Sequence, residues 1–87
     1  MSASLLMRVR VRLFASLREA TGRDEIPLDL PEGSTADDAW RHLCEAHPGL
    51  RARRRSLAAA VNRRYAPFET PLEDGDELVF IPPVAGG

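Results

Sequence analysis

The chain ends in Gly86 and Gly87, and the group there that can do chemistry is the terminal carboxylate. Two residues without a Cβ let a backbone enter a narrow channel and come close to an enzyme-bound nucleotide. A carboxylate delivered in that way can attack the α-phosphate of ATP held by a partner enzyme, giving an acyl-adenylate. A sulfur nucleophile can then displace AMP and leave a thiocarboxylate, with the acyl carbon of Gly87 as the site of sulfur attachment. The competing reading is that chain ends fray and accept any small residue; a Gly-Gly end arises by chance in about 0.5% of chains at average glycine usage. Context favours a working tail. Pro82 and Pro83 bar further ladder pairing and favour an extended path, so Val84, Ala85, Gly86 and Gly87 should project from the body.

Activation of that carboxylate has to come from a partner, because the sequence has no phosphate-cradling glycine loop and no arrangement that reads as a catalytic triad. Cys44 lies on the apolar stripe of a helix and reads as a packing cysteine rather than a reactive thiol. His42 and His47 read as surface residues. With one cysteine and two separated histidines there is neither a disulfide nor a spacing for zinc, so no metal is expected. All 12 basic residues are arginine, and the chain has no lysine.

The elements that must position the tail follow from periodicity. Met7 to Phe14 (MRVRVRLF) alternates apolar and polar residues and predicts a half-buried strand. Ala15 to Thr21 is helix-compatible and stops at Gly22; Glu25 to Leu30 alternates again, and Pro27 assigns this second strand to a sheet edge. Ser34 to His47 is the main helix, capped by Thr35, with Asp37 and Asp38 in its first turn and Ala36, Ala39, Trp40, Leu43 and Cys44 as its buried stripe. Trp40 is expected to anchor the core. Leu50 to Ser56 is basic and consistent with either a loop or a helical turn. Leu57 to Val61 is a short strand, Asn62 to Arg64 a turn, Tyr65 to Leu72 irregular, and Asp74-Gly75-Asp76 a tight turn into a final strand, Glu77 to Pro82. This order, strand, strand, helix, strand, strand, predicts an α+β fold of the β-grasp (ubiquitin-like) type, a mixed sheet packed on one main helix. The whole of 1–87 is then a single domain, with 1–6 a disordered leader and 82–87 an extended tail.

Alternation also places Phe14, Val79 and Ile81 on the sheet face that the helix leaves open. With Arg8, Arg10 and Arg12 at its rim, this predicts an apolar partner-binding patch near the tail's exit. The Arg51, Arg53, Arg54, Arg55 cluster reads mainly as a solvated loop, with steering of an acidic partner as the alternative.

LFASLREATG (Leu13 to Gly22) and LAAAVNRRYAPFETPLEDGDELVFIPPVAGG (Leu57 to Gly87) closely resemble the MoaD-like branch of the MoaD/ThiS family, the small sulfur-carrying subunits of molybdopterin synthase. The resemblance implies a carrier that binds no permanent cofactor. An adenylating enzyme uses ATP to form a C-terminal glycyl adenylate, a sulfurtransferase supplies sulfur, and the thiocarboxylated tail inserts into the large subunit of a heterotetramer. There the carrier donates sulfur to a pterin precursor of the molybdenum cofactor. By position, Gly87 bears the sulfur, and Pro82, Pro83, Val84, Ala85 and Gly86 form the inserting tail. Phe14, Tyr65 and Ile81 match the partner-contact surface, and Arg18, in the LRE segment, is a further contact candidate.

Two other clients fit the same chemistry, cysteine synthesis and thiamine-thiazole synthesis. A ubiquitin-like protein modifier, or a plain interaction module, is the reading from another class; without lysine, such a modifier cannot form lysine-linked chains on itself. Hydrophobic residues at 44%, charged residues at 29% and a net charge of -1 argue against a nucleic-acid partner. No stretch reaches the roughly 20 apolar residues of a membrane helix, so a cytoplasmic protein without membrane contact is expected.

Overall fold

A computed structural model describes residues 5–82. Its elements run β1 (Leu6–Leu13), α1 (Ala15–Thr21), β2 (Glu25–Pro31), α2 (Ala36–Ala46), a 3-10 helix (Pro48–Ser56), β3 (Ala58–Val61), β4 (Arg64–Ala66) and β5 (Glu77–Ile81). The five strands form one sheet in the order β2-β1-β5-β3-β4. β1 and β5, the first and last strands, pair in parallel at its centre, and every other pair is antiparallel. This is the β-grasp arrangement expected from the order of the elements, with β2 at an edge as Pro27 required.

Period-two alternation decides which side of the sheet is buried. Met7, Val9, Val11 and Leu13 of β1, Leu28 and Leu30 of β2, and Leu78 and Phe80 of β5 all point to one face, and α2 covers it with Ala36, Ala39, Trp40, Leu43 and Cys44. Phe80 is the hub: the Trp40 ring meets it edge-on at 5.0 Å and Phe68 stacks on it at 5.9 Å. Aromatic contacts of this kind add about 0.5–1.5 kcal/mol beyond the area they bury.

The start of α2 is fixed by a capping box. The Asp38 backbone N–H donates to Thr35 Oγ1 at 3.1 Å, and the Thr35 backbone N–H donates to Asp38 Oδ2 at 2.9 Å. Two further amides of the first turn are satisfied from outside, Ala36 N–H by the Thr70 carbonyl and Asp37 N–H by the Phe68 carbonyl. The irregular segment after β4 therefore closes the helix end.

Several boundaries differ from expectation. Strand β1 starts at Leu6 and the Leu5 carbonyl accepts the Glu32 N–H at 3.1 Å, so residues 5 and 6 of the expected 1–6 leader are part of the ordered body, while residues 1–4 lie outside the described residues. Phe14 is not in the strand: the β1–β5 ladder ends at Leu13 opposite Phe80, and Phe14 instead forms the N-terminal cap of α1 while Ala15 turns with φ 50. Arg64 and Tyr65, expected as turn and irregular chain, belong to β4. A two-residue turn at Asn62 (φ 51) and Arg63 (φ 71) sends the chain back antiparallel to β3, and left-handed geometry at both positions matches strand twist. The basic stretch is a 3-10 helix, Leu57 precedes β3, and Pro82, lacking a donor, falls just past the end of β5.

Replacing Thr35 by Ala removes one half of the capping box and should lower stability by about 1 kcal/mol in urea unfolding. The Thr35 N–H, with help from Arg41, holds the Asp38 carboxyl below its ordinary value. A carboxylate with a depressed folded pKa contributes stability above its unfolded pKa and loses it as pH falls toward the folded one. Acid unfolding of Asp38→Asn should therefore lack the part of the wild-type pH dependence that lies below the ordinary carboxylate pKa.

Candidate functional site: the open sheet face and the tail root

The face of the sheet opposite α2 is built from register. Arg12 pairs with Val79, Val79 with Ala60, and Ala60 with Tyr65, so one row crosses β1, β5, β3 and β4. The next row joins Ile81 to Ala58, and Pro82 follows Ile81 directly. Four of the expected contact residues thus belong to the open side: Val79 and Ile81 are half-buried, Tyr65 is 78% exposed and Phe14 is 44% exposed. Phe14 keeps this position although it has left the strand, because its backbone is still extended (φ -125, ψ 160) and the Arg12 guanidinium lies 5.4 Å over its ring. Beside Tyr65, a hollow of about 330 Å³ runs along the sheet edge between Leu57, Ala58, Ala59, Ala66, Pro67 and Phe68.

Charge frames this row. Arg12 reaches Glu77 at 3.5 Å, and Arg63 reaches the same carboxylate at 3.7 Å. Arg8 is held by Asp29 at 2.9 Å, which raises the arginine pKa and lowers that of the aspartate. The rim expected from the strand arginines is therefore partly neutralised. Arg18 is exposed on α1, where its carbonyl accepts the Gly22 N–H that ends the helix. Its side chain forms no ion pair among the described residues.

At the end of β5 lies a groove not expected from the sequence. Ser16 and Leu17 of α1, Arg53 and Ser56 of the 3-10 helix, Leu57 and Pro82 enclose about 200 Å³ at the root of the tail. Its one signal in the sequence was the arginine run. Of the tail itself, Pro82 is described, while Pro83, Val84, Ala85, Gly86 and Gly87 lie outside the described residues.

Cys44 is buried on α2, as expected of a packing cysteine, and burial pushes its thiol pKa up against the opposing influence of Arg51. Trp40 is core, and His42 is exposed. Among the described residues, no group of three or more His, Cys, Asp and Glu side chains could hold a metal ion, and no helix is long and apolar enough to cross a membrane.

Against this geometry, the sequence pattern of the ThiS family matches residues 11–87, from β1 through the terminal glycine. The chain belongs to the ThiS family. A family relative, the molybdopterin synthase sulfur carrier subunit of Mycobacterium tuberculosis, is 38% identical over 85 residues, covering 94% of this chain and 100% of the relative. Among solved structures, the small archaeal modifier protein 1 of H. volcanii superposes with a TM-score of 0.83 at 29% identity, covering 90% of this chain and 99% of that one. A subunit in the complex of subunits 1 and 2 of molybdopterin-converting factor from Helicobacter pylori gives 0.64 at 27%, covering 93% and 100%. The ThiS-family chain thus matches, over 90% or more of its length, proteins whose names include both a sulfur carrier and a protein modifier.

A thiol that is buried and raised in pKa holds little thiolate at neutral pH. Alkylation of native Cys44 by iodoacetamide should be slower than in urea by at least about tenfold, measured by intact mass. Equal rates would show that the Trp40 side of α2 opens freely.

Proposed function

We infer that this chain is the sulfur-carrying, non-catalytic subunit of a molybdopterin synthase and acts in the cytoplasm. The likeness to molybdopterin synthase sulfur carrier subunits over 94% of the chain carries the reading; the family match runs from β1 to Gly87, and β5 brings the root of that tail beside the apolar row of the open face. The Gly87 carboxylate attacks the α-phosphate of ATP on an adenylating enzyme, pyrophosphate leaves, and a mixed anhydride with AMP forms. Hydrosulfide, released from the persulfide of a sulfurtransferase by a thiol reductant, attacks the acyl carbon. The carbon–oxygen bond to AMP breaks, AMP leaves with the electron pair, and loss of the S–H proton leaves a thiocarboxylate. The chain contributes the acyl group and its delivery, while its partners contribute the catalysis.

Delivery is a matter of surfaces. Val79 and Ile81, with Phe14 and Tyr65 at either side, offer apolar area that a large subunit can cover, and Pro82 to Gly87 then enter its active site. Arg18 is a rim contact in this reading. Apolar patches of this kind bind through a few buried aromatic or aliphatic anchors rather than through total area.

The likeness to a small archaeal modifier protein supports a second reading, attachment of the activated glycine to other proteins. The two part after activation, since a carrier loses its acyl-bound sulfur to a small acceptor and is regenerated, whereas a modifier ends in an amide bond.

Incubation of the full chain with adenylating enzyme, ATP and sulfur donor should give a mass gain equal to replacement of one oxygen by sulfur. Deletion of Gly87 should abolish it. A wild-type mass that never changes would overturn the carrier reading, and a stable conjugate to other proteins would favour the modifier.

Tyr65→Ala should weaken binding to the large subunit by about tenfold or more, as loss of an aromatic anchor does. Its unfolding free energy should stay within about 0.5 kcal/mol of wild type, because the ring is largely in solvent. Calorimetric titration and urea unfolding measure the two separately.

A further inference from the structure

The arginines of the 3-10 helix divide by what holds them. Arg54 belongs to the fold: its Nε donates to Asp37 Oδ1 at 3.0 Å, and its guanidinium lies 3.4 Å over the Phe68 ring. Arg51, Arg53 and Arg55 are exposed, and none of them forms an ion pair among the described residues. Like charges this close repel one another, which offsets the gain from placing Arg53 and Arg55 in the last turn of the helix.

A helix of three residues per turn stacks positions i and i+3. Leu50, Arg53 and Ser56 therefore share a face. Leu50 is fully buried and anchors that face, while Arg53 and Ser56 open into the groove at the tail root with Ser16, Leu17, Leu57 and Pro82. The groove thus has a guanidinium and two hydroxyls to donate and no carboxylate in its lining.

We propose that this groove is a docking point for an acidic side chain of the protein that adenylates the tail, with Arg53 gripping its carboxylate and the Ser16 and Ser56 hydroxyls as further donors. The proposal rests on the carrier reading above. Charge complementarity selects the occupant, since a planar guanidinium pairs with a carboxylate through two parallel hydrogen bonds. A groove of about 200 Å³ accommodates a side chain rather than a folded segment. Position narrows the partner to a protein that takes the tail, since Pro82 lines the groove, and of the two such proteins in the carrier reading the large subunit already has the apolar row of the open face for its contact. Arg51 and Arg55, on the flanking faces, extend the positive field seen by an approaching partner. Such contacts suit a complex that must form and dissolve in every cycle, because peripheral charges act mainly on the association rate.

The test follows adenylation of the full-length chain by the ATP-dependent adenylating enzyme of the same organism, read as pyrophosphate release at low and high salt. Wild type is compared with Arg53→Glu, Arg53→Lys and Arg64→Glu, the last a matched charge reversal where β3 turns into β4, away from the tail. Arg53→Glu is expected to raise KM for the carrier about tenfold with kcat within about twofold, and to flatten the salt dependence. Arg53→Lys should fall between, keeping the charge but losing the fork, and Arg64→Glu should match wild type. Arg53→Glu with wild-type KM and salt dependence would overturn the docking point and leave the carrier reading intact. A fall in kcat at unchanged KM would also overturn it, by placing Arg53 at the nucleotide phosphates. A wild-type chain that is never adenylated would overturn both.

Discussion

The parallel ladder between β1 and β5 is the constraint on which the rest of this molecule depends. It pairs Arg10 with Glu77 and Leu13 with Phe80, joining the two ends of the described chain at the centre of the sheet. Such a closure has a large entropic cost, because the whole intervening chain becomes its loop. The compensating burial is shared by the whole core, and its aromatic contacts meet at one residue. Phe80 is fully buried, lies opposite Leu13, and is held between Trp40 of α2 and Phe68 of the segment that closes the α2 N-terminus. Strand, helix and irregular segment therefore meet at one side chain.

The same ladder fixes where the tail starts. Because β5 runs parallel to β1, its last residues arrive beside the start of α1, and the antiparallel β3 brings the end of the 3-10 helix to the same place. Ser16, Ser56 and Pro82 are brought together from three separate parts of the sequence by topology alone. Alternation along β5 then separates two tasks. Leu78 and Phe80 hold the fold, while Val79 and Ile81 are left for contact, so a surface close to the tail can be apolar without weakening the core.

What was legible in the sequence was what is determined locally. The alternation of MRVRVRL, the stripe of α2 and the Thr35–Asp38 box depend on residues within a few positions of one another, and each is found where expected. The positions of Phe14, Val79 and Ile81 followed from period two once β1 and β5 were taken as neighbours. β4 was not legible because Arg-Tyr-Ala has no pattern of its own; its pairing is imposed by the turn at Asn62, whose side chain donates to Asp76 and accepts from the Glu77 N–H across the sheet. The 3-10 helix was ambiguous for a similar reason. Nothing in LRARRRS marks Leu50 as fully buried or Arg54 as stacked on Phe68, and both follow from partners distant in sequence.

The absence of lysine gains a meaning when the tail chemistry is set beside the fold. An acyl-adenylate is open to attack by any unprotonated amine or thiolate that reaches it. Arginine remains protonated at any physiological pH and is no nucleophile, so in the carrier reading proposed above a chain with 12 arginines and no lysine can present cationic surface next to an activated end without its side-chain cations consuming it. The one thiol is withdrawn in a different way, buried under α2 with its pKa raised. Arg53 at the tail root is thus a charge that can guide an acidic partner and cannot itself become acylated, which a lysine at the same position could not guarantee.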